Sequence, residues 1–442
     1  MATASQVPTF NLKVVLQETG LKPDTLRAWE RRYGLPQPER TSGGHRLYSQ
    51  RDIEIIKWLM ARQQEGLSIS RAVDLWRGLE SEGQDPLQMA EYAVTGVPGA
   101  AVSLPAGEAI AELRQAWTAA CLAYEERTAE QVLTQAFALY PVEVVCLELL
   151  QKGLAELGKG WYQGEVTVQQ EHFASALTMR RLDALIAATP PPTRPDRILI
   201  GCPPQEEHAF SPRLLTLFLR RRGWDVLYLG ANVPIARLGS AIDAAQPRLI
   251  IMSAQQLHTA ASLLEVARYL EGYGVPLAFG GMVFNHLPEM RARIPGHFLG
   301  ERLEQAHQVV EELLSSVPPL PPGEAVSEAY QQALTHYRER QAQIEAHIWQ
   351  MMEPMGMTYD YMTAANAHFG INVGAALALG DMGYLGVDIE WVEGLLSNFG
   401  QPDDLLRRYL CVYHEAAKTH LDERGAPLIE WLERLTVQNS DF

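Results

Sequence analysis

Proline interrupts this chain wherever its hydrophobic patterning changes character. TPPPTRPD at 189–196 cannot continue a helix, because proline has no amide proton to donate and crowds the preceding turn. SSVPPLPPGEA at 315–325 reads as a stiff, polyproline-like spacer. A third seam, about 81–106, holds SEGQDPLQ and TGVPGAAVSLPAGEA, the glycine, proline and small-residue mixture of a linker. The seams divide the 442 residues into an N-terminal module (1–80), a linker (81–106), a helical segment (107–188), a segment of alternating strands and helices (194–316) and a helical C-terminal module (324–442). At roughly 100–200 residues per domain, this length calls for about two to four domains. A chain 47% hydrophobic and 20% charged is globular, which excludes wholesale disorder. No apolar run approaches the ~20 residues of a membrane span. The N-terminus lacks the basic-then-apolar layout of a signal peptide, so the expectation is a cytoplasmic protein. The four cysteines match no zinc or disulfide spacing.

The formal net charge of −16 argues against a general nucleic-acid binder, yet residues 22–51 carry seven Lys or Arg against three acids. A basic face on an acidic body can still grip phosphates, because counterion release is local. Gly20 is expected to end a first helix, Asp24 to cap a second (TLRAWERRY, stopping at Gly34), and Gly43-Gly44 to turn a hairpin. Ser49 with Asp52 has the spacing of a capping box for a third helix, and a fourth starts near Ser70. Helix-turn-helix followed by a wing is a DNA-reading layout. In it Thr25, Arg27, Arg31 and Arg32 reach bases and phosphates, Leu26 and Trp29 face the core, and Arg40, His45, Arg46 and Tyr48 contact the DNA backbone from the wing. The plainer alternative is a small helical domain with solvated arginines. The run TLRAWERRYGLPQPERTSGGHRLYSQRDI resembles the winged helix-turn-helix of the MerR family over residues 9–78. That resemblance implies a homo-oligomer, at least a dimer, on operator DNA.

Residues 107–188 show four runs with apolar positions at helical spacing, which implies a four-helix bundle. Gly160 and Gly164 are expected to end the third helix, leaving Trp161 in a turn. Thr167 with Gln170 would cap the fourth, setting Glu171 and His172 in its first turns. An aromatic, a carboxylate and an imidazole at one end of a bundle make either a structural cluster or a ligand lid. Over 196–316, RILIGCP, DVLYLGA, RLIIMSAQ, PLAFGG and HFLG read as strands. Helices are expected at about 212–222, 234–246, 259–272, 286–293 and 301–316. Apolar strands crossed by helices imply a doubly wound parallel sheet of the flavodoxin-like kind, with ligands beyond the carboxyl ends of its strands. His208 falls in one of those loops, where a lone histidine is more often plain surface.

Trp161 followed by Glu171-His172, then Glu206-x-His208, Ser253 and Gly280-Gly281, together resemble cobalamin-binding proteins over about 107–316. With the N-terminal head, the whole resembles the light-dependent cobalamin photoreceptor repressors. The resemblance implies adenosylcobalamin or methylcobalamin as cofactor, His208 as the lower cobalt ligand, Ser253, Gly280 and Gly281 along the cleft for the nucleotide tail, and Trp161 over the upper face. Neutral imidazole suits a borderline transition metal, and Glu206 can orient it. Two positions depart from the family pattern. The expected motif glycine is Ser211, followed by Pro212, and the family histidine after the bundle tryptophan is Tyr162.

Residues 324–442 read as five to six helices, AVSEAYQQALTHYRERQAQIEAHIWQMM, YDYMTAANAHF, INVGAALALGDMGYL, DIEWVEGLLSNF, DDLLRRYLCVYHEAAKTHL and PLIEWLERL. This all-α module extends beyond the simple repressors. Its histidines and aromatics make either an ordinary core with a dimerisation surface or a pocket for a second flat chromophore, a bilin or haem. The leading expectation is a non-enzymatic, cobalamin-dependent, light-responsive transcriptional regulator. One alternative is a regulator reading that second chromophore, with a modified or decayed cobalamin site. Another, of a different class, is a corrinoid methyl-carrier protein.

Overall fold

The computed structural model describes residues 8–40, 46–64, 69–81, 107–316, 319–355 and 357–438. The chain separates into two compact units, Met1–Ala155 and Glu156–Phe442. The linker expected at 81–106 lies, but for Ser81, outside the described residues, as do Gly43-Gly44 and His45 of the wing turn.

In the first unit, helix α1 (Leu12–Thr19) starts on the Asn11 side chain and stops at Gly20, whose φ of 69° is left-handed. Helix α2 (Pro23–Tyr33) begins two residues earlier than expected. Pro23 occupies its first turn, where a missing amide costs nothing, and Lys22 rather than Asp24 is the cap residue. Strands β1 (Phe10–Asn11), β2 (Glu39–Arg40) and β3 (Arg46–Tyr48) form an antiparallel sheet of order β1-β3-β2, with Phe10 opposite Tyr48 and Glu39 opposite Leu47. The expected box forms ahead of α3 (Gln50–Gln64), since the Ser49 amide donates to Asp52 and the Asp52 amide to Ser49 Oγ. Helix α4 (Ile69–Ser81) follows, and Val15, Leu26, Trp29, Ile56, Leu59 and Trp76 fill the core.

Helices α5 (Gly107–Leu122) and α6 (Glu126–Leu139) come next. A continuous helical stretch then runs from α7 (Val142–Val144) through a π-helical turn (Val145–Gln151) into α8 (Lys152–Tyr162). A β-carbon at Gly153 would press into the Trp117 ring, so glycine there lets α5 approach. All four helices expected over 107–188 exist, but the division after Ala155 falls inside the third of them rather than at a proline seam. A helix transmits backbone continuity across a boundary that side-chain packing defines, and apolar periodicity does not mark such a boundary.

In the second unit, α9 (Val168–Ala187) carries the expected Thr167–Gln170 capping box. Strands β4 (Arg197–Gly201), β5 (Asp225–Gly230), β6 (Leu249–Ser253), β7 (Leu277–Gly280) and β8 (His297–Phe298) pair in parallel in the order β5-β4-β6-β7-β8, the expected doubly wound sheet. Alternation along the strands serves two cores. Ile198, Ile200 and Ile251 pack against α10 (Phe210–Arg221) and α14 (Leu303–Ser316). Leu199, Ile250 and Met252 pack towards α11 (Leu238–Ala245) and α12 (Leu257–Leu270). The helix expected at 286–293 is instead α13 (Val283–His286) followed by a 3-10 stretch at Pro288–Arg293, because proline cannot continue the turn that His286 ends.

Among the described residues the C-terminal module has five α-helices, α15 (Glu328–Met352), α16 (Tyr359–Leu379), α17 (Leu385–Asn398), α18 (Leu405–His420) and α19 (Ala426–Gln438). The two helices expected over 359–385 are one through Leu379, unbroken at Gly370. That glycine is buried where α16 meets the Gln341 and Tyr337 side chains of α15, so close packing offsets its poor helix propensity. The module shares one apolar core with the α12 face of the sheet, Leu263, Leu264 and Ala267 belonging to the same cluster as Ala375, Ala376 and Leu379. No helix of the described residues is long and apolar enough to cross a membrane.

Candidate functional site

The loop from β4 to α10 is built on Glu206, whose side chain is fully buried. Its Oε1 accepts from the His208 amide (2.9 Å) and from His208 Nδ1 (2.7 Å), and its Oε2 from the Gln255 amide (2.6 Å) and Thr259 Oγ1 (2.7 Å). One carboxylate thus ties the β4 loop to the start of α12. Burial alone raises the Glu206 pKa. The bonds from His208, Thr259 and the two amides outweigh it and hold the carboxyl below its ordinary value. The bond to Glu206 raises the His208 pKa against the opposing effect of burial, with further help from the charges of Glu206, Glu171 and Glu207. Nδ1–H directed at a carboxylate leaves the imidazole Nε2 lone pair for another use, and the His208 side chain is 58% exposed. Gln205, at a left-handed φ of 68°, is fixed by its amide donating to Asn232 Oδ1.

The departures at Ser211 and Pro212 are absorbed by α10. Both lie in its first turn, where proline needs no donor, and the Pro212 carbonyl accepts from Thr216 Oγ1. At the next strand ends, Gln255 Nε2 donates to Ser253 Oγ, and Gln255 Oε1 accepts from the Met282 amide. The two glycines there differ. At Gly281, φ is 129° and a β-carbon would overlap the Ala254 carbonyl oxygen, so the fold itself requires glycine. At Gly280 a β-carbon would meet only Leu299 Cβ at 3.9 Å, so glycine leaves space open beyond the strand.

Trp161 and Tyr162 form the last turn of α8 and not a following loop. Gly160 stays helical because Val166 folds back to the place its β-carbon would take, and Gly164 (φ 74°) makes the turn. Glu171 accepts from Ser175 Oγ and sits 2.7 Å from His172 Nδ1. His172 is 74% exposed in its side chain and turned to solvent. The groups that sequence reasoning missed come from elsewhere in the unit. Burial chiefly lowers the pKa of His258 on α12, which also interacts with Glu206, His368, Asn372 and Asp388. His368 Nε2 lies 3.1 Å from Asp388 Oδ1, which raises the His368 pKa. Only tertiary packing brings these to the β4 loop.

In the head, Arg27, Arg31 and Arg32 are exposed along α2, Thr25 is half-buried, and Leu26 and Trp29 face the core. Arg46 Nε bonds Glu30 Oε2 (2.8 Å) and Tyr48 Oη bonds Glu30 Oε1 (2.5 Å), tying β3 to α2. The expectation that Tyr48 touches DNA is corrected here. Its side chain is fully buried and its hydroxyl is spent on Glu30. Arg40 stands on β2, opposite Arg46. In the C-terminal module His336, His347, His368 and His420 bond within the protein, while His414 Nε2 is buried with no hydrogen-bond partner among the described residues. His336 Nε2 accepts from the Asp422 amide and His347 bonds His420, while a cavity of about 320 Å³ lies between α12, α15 and α16.

Three family models match the chain: "MerR HTH family regulatory protein" over residues 10–79, and "B12 binding domain" over 113–186 and again over 196–308. The chain is 31% identical over 301 residues to the HTH-type transcriptional repressor CarH of Myxococcus xanthus, covering 66% of this chain and 96% of that protein. It belongs to the CarH family. The repressor CarA of the same organism is 31% identical over 248 residues, 55% of this chain and 76% of that one. Among solved structures the chain is similar to the Methanosarcina barkeri monomethylamine corrinoid protein, at 18% identity and a TM-score of 0.38 over 46% of this chain and 96% of that one. This CarH-family chain therefore joins a MerR-type DNA-binding head to a cobalamin-binding module.

Proposed function

We propose that the protein is a cobalamin-dependent, light-responsive transcriptional regulator in which His208 would ligate the cobalt. The observation that carries this is the Glu206–His208 pair. A buried carboxylate accepts a hydrogen bond from Nδ1–H and leaves the Nε2 lone pair, on a half-exposed side chain, beyond the carboxyl end of β4. That donor type suits a borderline metal, and the open strand end at Gly280 suits a bulky tail, so the residues fit the cofactor. When bound, the cofactor would supply a cobalt centre whose bond to an adenosyl or methyl group is light-labile. The chain's part is to bind and orient. Glu206 and Thr259 fix the imidazole, Ser253 and Gly280 border the tail cleft, and Trp161, Tyr162 and Glu171 stand on the cap. Arg27, Arg31 and Arg32 supply the phosphate and base contacts of the head to operator DNA, presented by a homo-oligomer.

His208→Ala tests the assignment. The full-length chain loaded with methylcobalamin should show a protein-imidazole-ligated spectrum that the variant lacks, together with faster loss of the cofactor on desalting. An identical spectrum and identical retention would reject His208 as ligand.

A further inference from the structure

The position that departs from the light-dependent repressor pattern, Tyr162, has a partner in the C-terminal module. Tyr162 lies against α17, where a β-carbon at Gly394 would overlap the tyrosine hydroxyl oxygen. The hydroxyl donates to the Trp391 carbonyl (3.3 Å), and Asn398 Nδ2 donates to the Tyr162 carbonyl (2.9 Å). Around this notch the rings lie at shallow tilts. Trp391 sits 5.8 Å from Tyr162 (30°), 6.2 Å from Trp161 (33°) and 6.4 Å from His368 (35°). His368 is in turn held by Asp388, so the contact runs from the cap turn through Trp391 to α16 and the groups beside His258. Gly394 lies in the interior of a helix, where glycine is a poor choice on propensity alone. Seating Tyr162 supplies the reason for it.

We propose that the C-terminal module is a clamp on the cobalamin cap, with Tyr162 as its docking side chain and Gly394 as the notch, and that it slows release of the bound cofactor. Tyr162 is then a positioning residue for Trp161 and not a lost metal ligand. This rests on the cobalamin reading above.

Gly394→Ala separates the clamp from ordinary helix energetics, because only the clamp predicts a change at the cap. If Gly394 is merely a helix residue, alanine firms up α17 and leaves the cap untouched. If it is a notch, alanine expels Tyr162. In the full-length protein without cofactor, amide exchange of 158–166 should then speed up several-fold, and hydroxocobalamin release should accelerate about tenfold. Adding Tyr162→Phe removes the oxygen that overlaps and should restore much of both. Trp391→Ala, at a residue already 40% exposed, should shift both readouts the same way without endangering the fold. Unchanged exchange in Gly394→Ala and Trp391→Ala overturns the clamp, and faster exchange with unchanged release overturns its role in retention. A wild-type chain that retains no hydroxocobalamin would sink the function on which this rests, while the exchange result would still decide the contact.

Discussion

Glu206 gathers four donors onto two oxygens with no solvent to share the load. Glu206→Gln would set an amide NH2 against at least one of them, and a buried donor left facing a donor costs about 1–3 kcal/mol. A correspondingly lower denaturant midpoint is expected at pH 7. The pH dependence has a definite sign. A carboxyl whose pKa is lowered by folding contributes stability above its unfolded value and loses it as pH falls through the folded one, here below the ordinary 4.5. Glu206→Gln should therefore flatten the acid limb of the stability profile, which urea titrations between pH 3 and pH 7 would reveal. Gly281→Ala should be more damaging still, since it combines a φ of 129° with an overlap against backbone that cannot rotate away. His208 could be picked out from its loop by family resemblance. The buried state of Glu206 and its bond to Thr259 could not, because 53 residues of sequence separate the partners.

At the level of elements, α2 and β3 behave as one device because Glu30 holds both Arg46 and Tyr48. Glu30→Ala leaves the buried Tyr48 hydroxyl unpaired, so a loss of about 1–3 kcal/mol in stability of the head is expected alongside weaker DNA binding. Arg31→Ala should act differently. It leaves stability within about 0.5 kcal/mol and reduces the slope of log K against log salt by about 0.9 if one phosphate contact is lost. Binding to a duplex selected from random sequence, at several salt concentrations, measures this. The helices of the head were legible from glycine stops and the Ser49–Asp52 spacing. The role of Tyr48 was not, because a tyrosine on a three-residue strand gives no sequence sign of which face it takes.

For the second unit as a whole, the C-terminal module is part of the sheet's covering and no mere appendage. Its α16 packs on α12 within a single apolar core. A chain ending at residue 316 should expose that face of α12, and it is expected to aggregate or to melt well below the full-length protein in a thermal scan. A soluble truncated chain with an unchanged melting temperature would show that the two layers fold independently.

Sequence alone determined the kinds of element and their order. Period-2 and period-3.6 apolar patterning, glycine stops and proline breaks are local signals, and the doubly wound sheet, the winged head and the helical C-terminal module all follow from them. It also singled out His208 and Glu206, adjacent in one loop and carried by a family motif. Tertiary structure decided the rest. It placed the unit boundary inside a helix, buried Tyr48, ran α16 through Gly370 and set Tyr162 into the notch at Gly394. Each of these depends on which distant side chain arrives at a given surface, and spacing along the chain carries no information about that.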